Sequence, residues 1–390
     1  MRHQAIIILL ISLTIFYPVI SQEVKPGAER MDEYISQLKG KQIAIVANQS
    51  SLVKDKHLID TLLHSGINVI RIFCPEHGFR GNADAGEDIS SGKDKQTGIE
   101  IISLFGKKFK PSKKDLRGID MVVFDIQDVG VRFFTYLSTL QYVMEACAEN
   151  NKPLIVLDRP NPNGFYVDGP VMQENLKSFV GLNPIPVVYG MTIGEYSKMI
   201  NEEGWLKNKI RCKLEVVTCE NYDHSWSSEL PVRPSPNLPN LQSIVLYPSV
   251  CLFEGTIISP GRGTDYPFQV FGHPSLKLCD FRFTPRSIPG MSKTPLYLGK
   301  ECCGSDLRNF NRSIIQKDKK LILDWLILAY SNCELKDSFF NSYFDMLAGN
   351  RNLKKQIQAG MSPDKIRDSW KPELEKFMSI RRKYLLYKDF

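Results

Sequence analysis

Through the first two-thirds of the chain, short apolar runs alternate with amphipathic stretches. The runs at 42–47, 69–74, 99–104, 121–126, 154–158 and 185–189 are rich in Val, Ile, Leu and Phe. Apolarity that is continuous rather than alternating predicts strands buried on both faces, and so an α/β fold with a mostly parallel sheet and helices on either side. Between the runs, 56–64 has helical spacing and stops at Gly66, a residue type that ends helices readily. A longer helix is predicted over 132–149, where Phe134, Leu137, Leu140, Met144 and Cys147 recur at helical intervals. Another begins at Thr192, which with Glu195 three residues on makes a capping box.

The texture changes at Pro231, which is followed by Pro234, Pro236 and Pro239. Such a stretch is neither regular helix nor central strand, and it predicts a domain junction. Beyond it, 319–330, 338–347 and 364–387 have helical periodicity, so the second, smaller domain reads as α-rich with a few strands. The expected division is 22–243 for the sheet domain and 244–390 for the auxiliary one.

Met1-Arg2-His3 precedes an apolar stretch of roughly 15 residues that turns polar at Ser21-Gln22-Glu23, the pattern of a secretory signal over 1–21 and too short for a spanning helix. The expectation is an exported, periplasmic or secreted protein with no membrane attachment after cleavage. A formal charge of +7 is modest, and the basic cluster at Arg381-Arg382-Lys383 falls in a helical pattern. It reads as a solvated face, so no nucleic-acid partner is expected. Of nine cysteines, Cys74, Cys147 and Cys251 lie in apolar segments and read as buried thiols, while the pair Cys302-Cys303 has no evident role. Neither a Cys-x-x-Cys nor a His-x-x-x-His spacing occurs, which argues against a structural zinc site.

Four polar motifs each follow a predicted strand: Pro75-Glu76-His77-Gly78, Asp125-Ile126-Gln127-Asp128, Asp158-Arg159-Pro160-Asn161-Pro162 and Tyr189-Gly190-Met191-Thr192. In a parallel sheet the carboxyl ends of strands share one edge, and ligands bind in the crevice outside it. The motifs are therefore expected to line one cleft. There is no Gly-x-Ser-x-Gly elbow, and no Gly-x-Gly-x-x-Gly follows the first strand, which disfavours serine hydrolysis and a dinucleotide cofactor. Carboxylates dominate instead: Glu76, Asp125, Asp128 and Asp158, with Arg80, Arg132 and Arg159 near them in sequence. A glycosidase needs a carboxylic acid to protonate the leaving oxygen and usually a second carboxylate as base or nucleophile. Each aspartate also has a structural reading: Asp158 as a turn former, Asp128 as the cap of the long helix, Asp125 as an ion-pair partner of Arg132. Glu76 fits neither a helix nor a hairpin role.

Longer blocks give a resemblance. Pro75-Glu76-His77-Gly78-Phe79-Arg80-Gly81, the segment from Phe124 through Gly130 to Arg132, Asp158 to Gly164, Arg233-Pro234-Ser235-Pro236-Asn237-Leu238-Pro239, and Phe253-Glu254-Gly255-Thr256 with Gly261-Arg262-Gly263-Thr264-Asp265 resemble, in this order, the signature blocks of the NamZ exo-β-N-acetylmuramidases. The resemblance implies a Rossmann-like catalytic domain without a nucleotide, a smaller auxiliary domain, and no metal or organic cofactor. It implies release of terminal N-acetylmuramic acid from the non-reducing end of peptidoglycan fragments such as MurNAc-GlcNAc. The glutamate of the Pro-Glu-His-Gly block, here Glu76, would be the general acid. Asp125 or Asp128 would activate water, unless the substrate's own N-acetyl group serves as nucleophile. Candidates for holding the sugar are His77, Arg80, Arg132, Asp158, Arg159, Asn161, Glu254, Arg262 and Asp265, with Arg80, Arg132 or Arg262 suited to the lactyl carboxylate because a guanidinium pairs two oxygens at once. The competing readings are a non-catalytic wall-binding protein and a different hydrolase on the same scaffold.

Overall fold

The computed structural model describes residues 23–80 and 92–390, so the predicted export segment lies outside it. Its main sheet has seven strands: β1 (Gln42–Ala47), β2 (Asn68–Cys74), β3 (Gly92–Lys93), β4 (Glu100–Ser103), β5 (Met121–Asp125), β6 (Leu154–Leu157) and β7 (Leu214–Val217). They lie in the order β3-β4-β2-β1-β5-β6-β7, parallel except for β3. Successive side chains of a strand point to opposite faces. Thus Ala44, Val46, Val122, Phe124, Leu154 and Val156 enter one core cluster, while Ile43, Ile45, Met121, Val123, Ile155 and Leu157 enter another. Helices α1 (Met31–Leu38) and α2 (Leu58–His64) cover the second face through Tyr34, Leu38, Ile59 and Leu62. Helices α3 (Tyr136–Glu149) and α4 (Ile193–Glu202) cover the first through Leu137, Met144, Met199 and Ile200. The expected Thr192–Glu195 capping box opens α4.

Three local expectations need correction. The segment 185–189 is not a sheet strand; it is buried, extended chain whose Val188 bridges Val131 and Asp168. Pro184 and Pro186 lack the N–H that a ladder requires. The two edge strands missed are β3, two exposed residues long, and β7, whose mixed pattern Leu-Glu-Val-Val is only partly buried. The long helix begins at Tyr136 rather than 132, because Gly130 has φ 75° and Arg132 N–H bonds the Val187 carbonyl at 2.8 Å. Helix α2 begins after Lys56–His57, which pairs with Leu52–Val53, and the His57 ring accepts from the Ile59 amide.

The smaller C-terminal domain has an antiparallel sheet of β8 (Val270–His273), β9 (Phe281–Phe283) and β10 (Cys302–Asp306), ordered β8-β10-β9. Cys303 of the unexplained pair forms a disulfide with Cys279; Cys74, Cys147 and Cys251 are buried thiols, as expected. The predicted helix 364–387 is two helices, Pro363–Asp368 and Lys371–Arg381. Pro372 sits in the first turn of the second, where its missing N–H costs nothing. The chain then returns across the large domain. Tyr387 donates its hydroxyl to Asp158 at 2.5 Å, the Leu386 amide bonds Glu195 at 2.7 Å, and Arg381 pairs with Asp389 while donating to the Gly190 carbonyl.

Candidate active site

Strand β2 ends at Cys74, and the chain turns at once: the Gly78 amide bonds the Pro75 carbonyl at 3.1 Å, with Glu76 and His77 at the two central positions. His77 has φ 68°, a left-handed conformation in which a side chain is strained. The turn holds Glu76, half-buried, in the lining of a small cleft of about 50 Å³. Thr135 donates to Glu76 Oε2 at 2.7 Å, and Ser235 Oγ lies 3.2 Å from His77 Nε2. The walls are aromatic: Phe134 packs edge-on to Tyr136 at 4.7 Å, and Tyr247 packs against Phe133 and Phe268. Such rings suit the C–H face of a sugar. Arg262 lines the far side, 5.0 Å over the Phe268 ring and ion-paired through Nε to Glu254. Burial works to lower its pKa, but Glu254 beside it prevails and holds it above the ordinary arginine range.

Asn237 also lines the cleft, and it is buried. Its Nδ2 donates to the Met291 carbonyl at 2.8 Å, while its Oδ1 has no hydrogen-bond partner. A buried acceptor left unmade costs on the order of 1–3 kcal/mol, so this oxygen is a feature a ligand donor would satisfy.

Glu76, His77, Arg262 and, through Arg262, Glu254 are therefore brought together. The other candidates lie outside the lining of this cleft and have partners of their own. Asp125 is fully buried in a two-pronged pair with Arg159, at 2.6 and 2.8 Å. It is not the partner of Arg132, and both of its oxygens are taken by Arg159. Asp128 does not cap the long helix: it accepts from the Gly130 amide at 2.6 Å and from the Tyr189 hydroxyl, away from the cleft lining. Asp158 is a hub at the end of β6, accepting from the Arg159 and Gly194 amides and the hydroxyls of Thr192 and Tyr387. Asn161 packs under Gly130, where a Cβ would stand 2.3 Å from its side-chain oxygen, and it donates to Met191. Arg132 is buried and donates to the carbonyls of Pro170, Ile185 and Leu347; with no carboxylate near, burial lowers its pKa to about 9. Arg80 is held by both oxygens of Asp94, and exposed Asp265 pairs with Arg286 at 2.5 Å.

Burial raises the carboxyls of Asp128 and Asp158 to about 6, against the lowering effect of the donors around them. A carboxyl whose folded pKa exceeds its unfolded value near 3.8 favours folding only while protonated. The stability these two groups contribute is thus present below about pH 3.8 and lost as pH rises through about 6. Urea unfolding between pH 4 and 7 should show a smaller decline for Asp128→Asn than for the parent; parallel curves would refute the assignment.

The lining residues that sequence reasoning missed, Phe133, Phe134, Thr135 and Tyr136, fall at the head of the helix expected from 132, which in fact starts at Tyr136. Ser235 and Asn237 sit in the proline-rich stretch that marks the expected junction.

A family model described as exo-β-N-acetylmuramidase NamZ, N-terminal, matches residues 43–242, and its C-terminal counterpart matches 245–387. The peptidoglycan β-N-acetylmuramidase NamZ of Bacillus subtilis strain 168 is 38% identical over 385 residues, covering 94% of this chain and 92% of that one. A crystal structure of a DUF1343 family protein from Bacteroides fragilis NCTC 9343 superposes with a TM-score of 0.88 at 47% identity, covering 95% of this chain and 100% of the other. A second from the same organism gives 0.77 at 28% identity, covering 94% and 99%.

Proposed function

The chain belongs to the NamZ exo-β-N-acetylmuramidase family, and from that premise we propose that it is a glycosidase releasing terminal β-linked N-acetylmuramic acid from the non-reducing end of peptidoglycan fragments, with Glu76 as general acid. The observation that carries the assignment is that Glu76 is, among the described residues, the only carboxylate lining the cleft. Its partner Thr135 suits a group that must alternate between acid and base, because a hydroxyl both donates and accepts.

With Asp125 and Asp128 committed elsewhere, the geometry favours the substrate's acetamido group as nucleophile. Glu76 gives its proton to the glycosidic oxygen as the C1–O bond breaks and the acetamido oxygen bonds C1. Water then attacks C1, the acetamido oxygen leaves, and the Glu76 carboxylate takes the water's proton. Asn237 Oδ1 accepts from the acetamido N–H and holds it in line, which satisfies the unmade bond. Arg262 pairs with the lactyl carboxylate, the group that separates muramic acid from glucosamine. We extend the proposal to export into the periplasm, supported by the basic start and apolar run of the first 21 residues.

Two displacements at C1 retain configuration. Proton NMR of the sugar first released from a chromogenic β-N-acetylmuramide should therefore show the β-anomer, with the matching N-acetylglucosaminide unreacted. A first-formed α-anomer would remove the acetamido nucleophile, equal turnover of both substrates would remove lactyl recognition, and no turnover of the muramide would remove the activity.

A further inference from the structure

The loop after β4 carries a feature that neither the cleft nor the fold uses. Lys107, Lys108, Lys110, Lys113 and Lys114 fall within eight residues and surround Phe109, so the basic cluster near the C-terminus is not the chain's only one. Phe105 and Phe109 of this loop meet Phe179 at 5.7 and 4.4 Å, and Tyr142 lies nearly parallel to Phe179 at 6.3 Å. Phe109 is 36% exposed, and the other three rings are half-buried. None of the four is among the described side chains packed against the core clusters. A contiguous aromatic surface that the core does not need marks a contact site.

Charge and position narrow what it contacts. Lys108 pairs with Asp115 and Lys110 with Glu145 and Glu149, but exposed Lys107, Lys113 and Lys114 have no acidic partner among the described residues. The surface adjoins the cleft by two routes. The Leu104 amide, next to Phe105, bonds the Cys74 carbonyl two residues before Glu76. Tyr142 lies two turns along α3 from Thr135, which bonds Glu76.

We propose that Phe105, Phe109, Phe179 and Tyr142, with Lys107, Lys113 and Lys114, form a second glycan-binding surface that holds the peptidoglycan strand beyond the sugar in the cleft. The rings take the C–H faces of the sugars, and the lysines take the carboxylates of lactyl groups and stem peptides. This rests on the peptidoglycan reading of the cleft. Aromatic and basic residues interleaved also suit single-stranded nucleic acid; the neighbouring cleft favours the glycan.

The test uses Phe109→Ser/Phe179→Ser and, separately, Lys107→Gln/Lys113→Gln/Lys114→Gln, whose exposed lysines leave the fold intact. Co-sedimentation with insoluble peptidoglycan sacculi should show the apparent Kd rising about tenfold in each, while kcat/KM on the chromogenic muramide stays within about twofold. For the lysine variant the loss should shrink as salt rises. Unchanged sedimentation, a parallel fall in muramide turnover, or competition by a single-stranded oligonucleotide as effective as soluble glycan chains would each overturn the proposal. If the parent protein fails to turn over the muramide and yet needs these residues to bind sacculi, the activity reading falls and the binding surface stands.

Discussion

Glu76→Gln is expected to abolish most turnover, lowering kcat on muropeptides by roughly 100- to 10,000-fold without unfolding the protein. Glutamine keeps the shape of the side chain and a partner for Thr135, and the half-buried site tolerates it without an unpaired buried charge. What it cannot do is release a proton. The size of the loss should depend on the leaving group. A sugar hydroxyl departs only when protonated, whereas a nitrophenol-type aglycone departs readily as an anion, so the variant should be much less impaired on the activated substrate. A loss of equal size on both in kcat/KM, which reports the bond-breaking step without the hydrolytic one that follows, would mean that Glu76 does not act as the acid, whatever else it does in the cleft.

The second large effect falls on stability. Asp125→Ala strips Arg159 of its carboxylate in a site almost closed to water, and breaking a buried pair from one side costs about 3–5 kcal/mol. Arg159 keeps a bond to the Leu52 carbonyl, which does not neutralise it. Replacing both partners by apolar residues, as in Asp125→Leu with Arg159→Met, should recover much of that loss, because neither charge is then left alone. Urea denaturation of the three proteins reads the result. If Asp125→Ala were as stable as the parent and lost activity by two or more orders of magnitude, the carboxylate would belong to the chemistry after all.

These outcomes bear on what a sequence can disclose. The sheet was legible because its strands are buried on both faces and its turns are marked; the sequence placed β1, β2, β4, β5 and β6 within a residue or two. The exposed edge strand β7 was not, since Leu214 and Glu215 carry no burial signature and the apolar 185–189 run competed for its place. Of the four polar motifs expected to line one cleft, only the first does so, through Glu76 and His77, because position at a strand end cannot tell a side chain facing the crevice from one turned back beneath it. Asp125 and Asp158 sit at strand ends as a catalytic residue would, and both are consumed by neighbours far along the chain, Arg159 and Tyr387. Arg132 looked like an anion binder because guanidinium is one, yet here it answers three backbone carbonyls. Residue type announces capacity; only tertiary geometry shows whether that capacity is already spent.

The return of the chain across the large domain bears on chimaeras between relatives. Asp158, Glu195 and the Gly190 carbonyl belong to the first family segment, while Tyr387, Leu386 and Arg381 belong to the second. A crossover placed in the stretch between the two segments inherits each half of these bonds from a different parent. Where the parents differ at Asp158 or Tyr387, the hybrid carries a buried carboxyl or phenol that its new neighbour does not expect. Viable recombinants should therefore co-inherit the tail with the sheet, so the interchangeable unit is discontinuous in sequence.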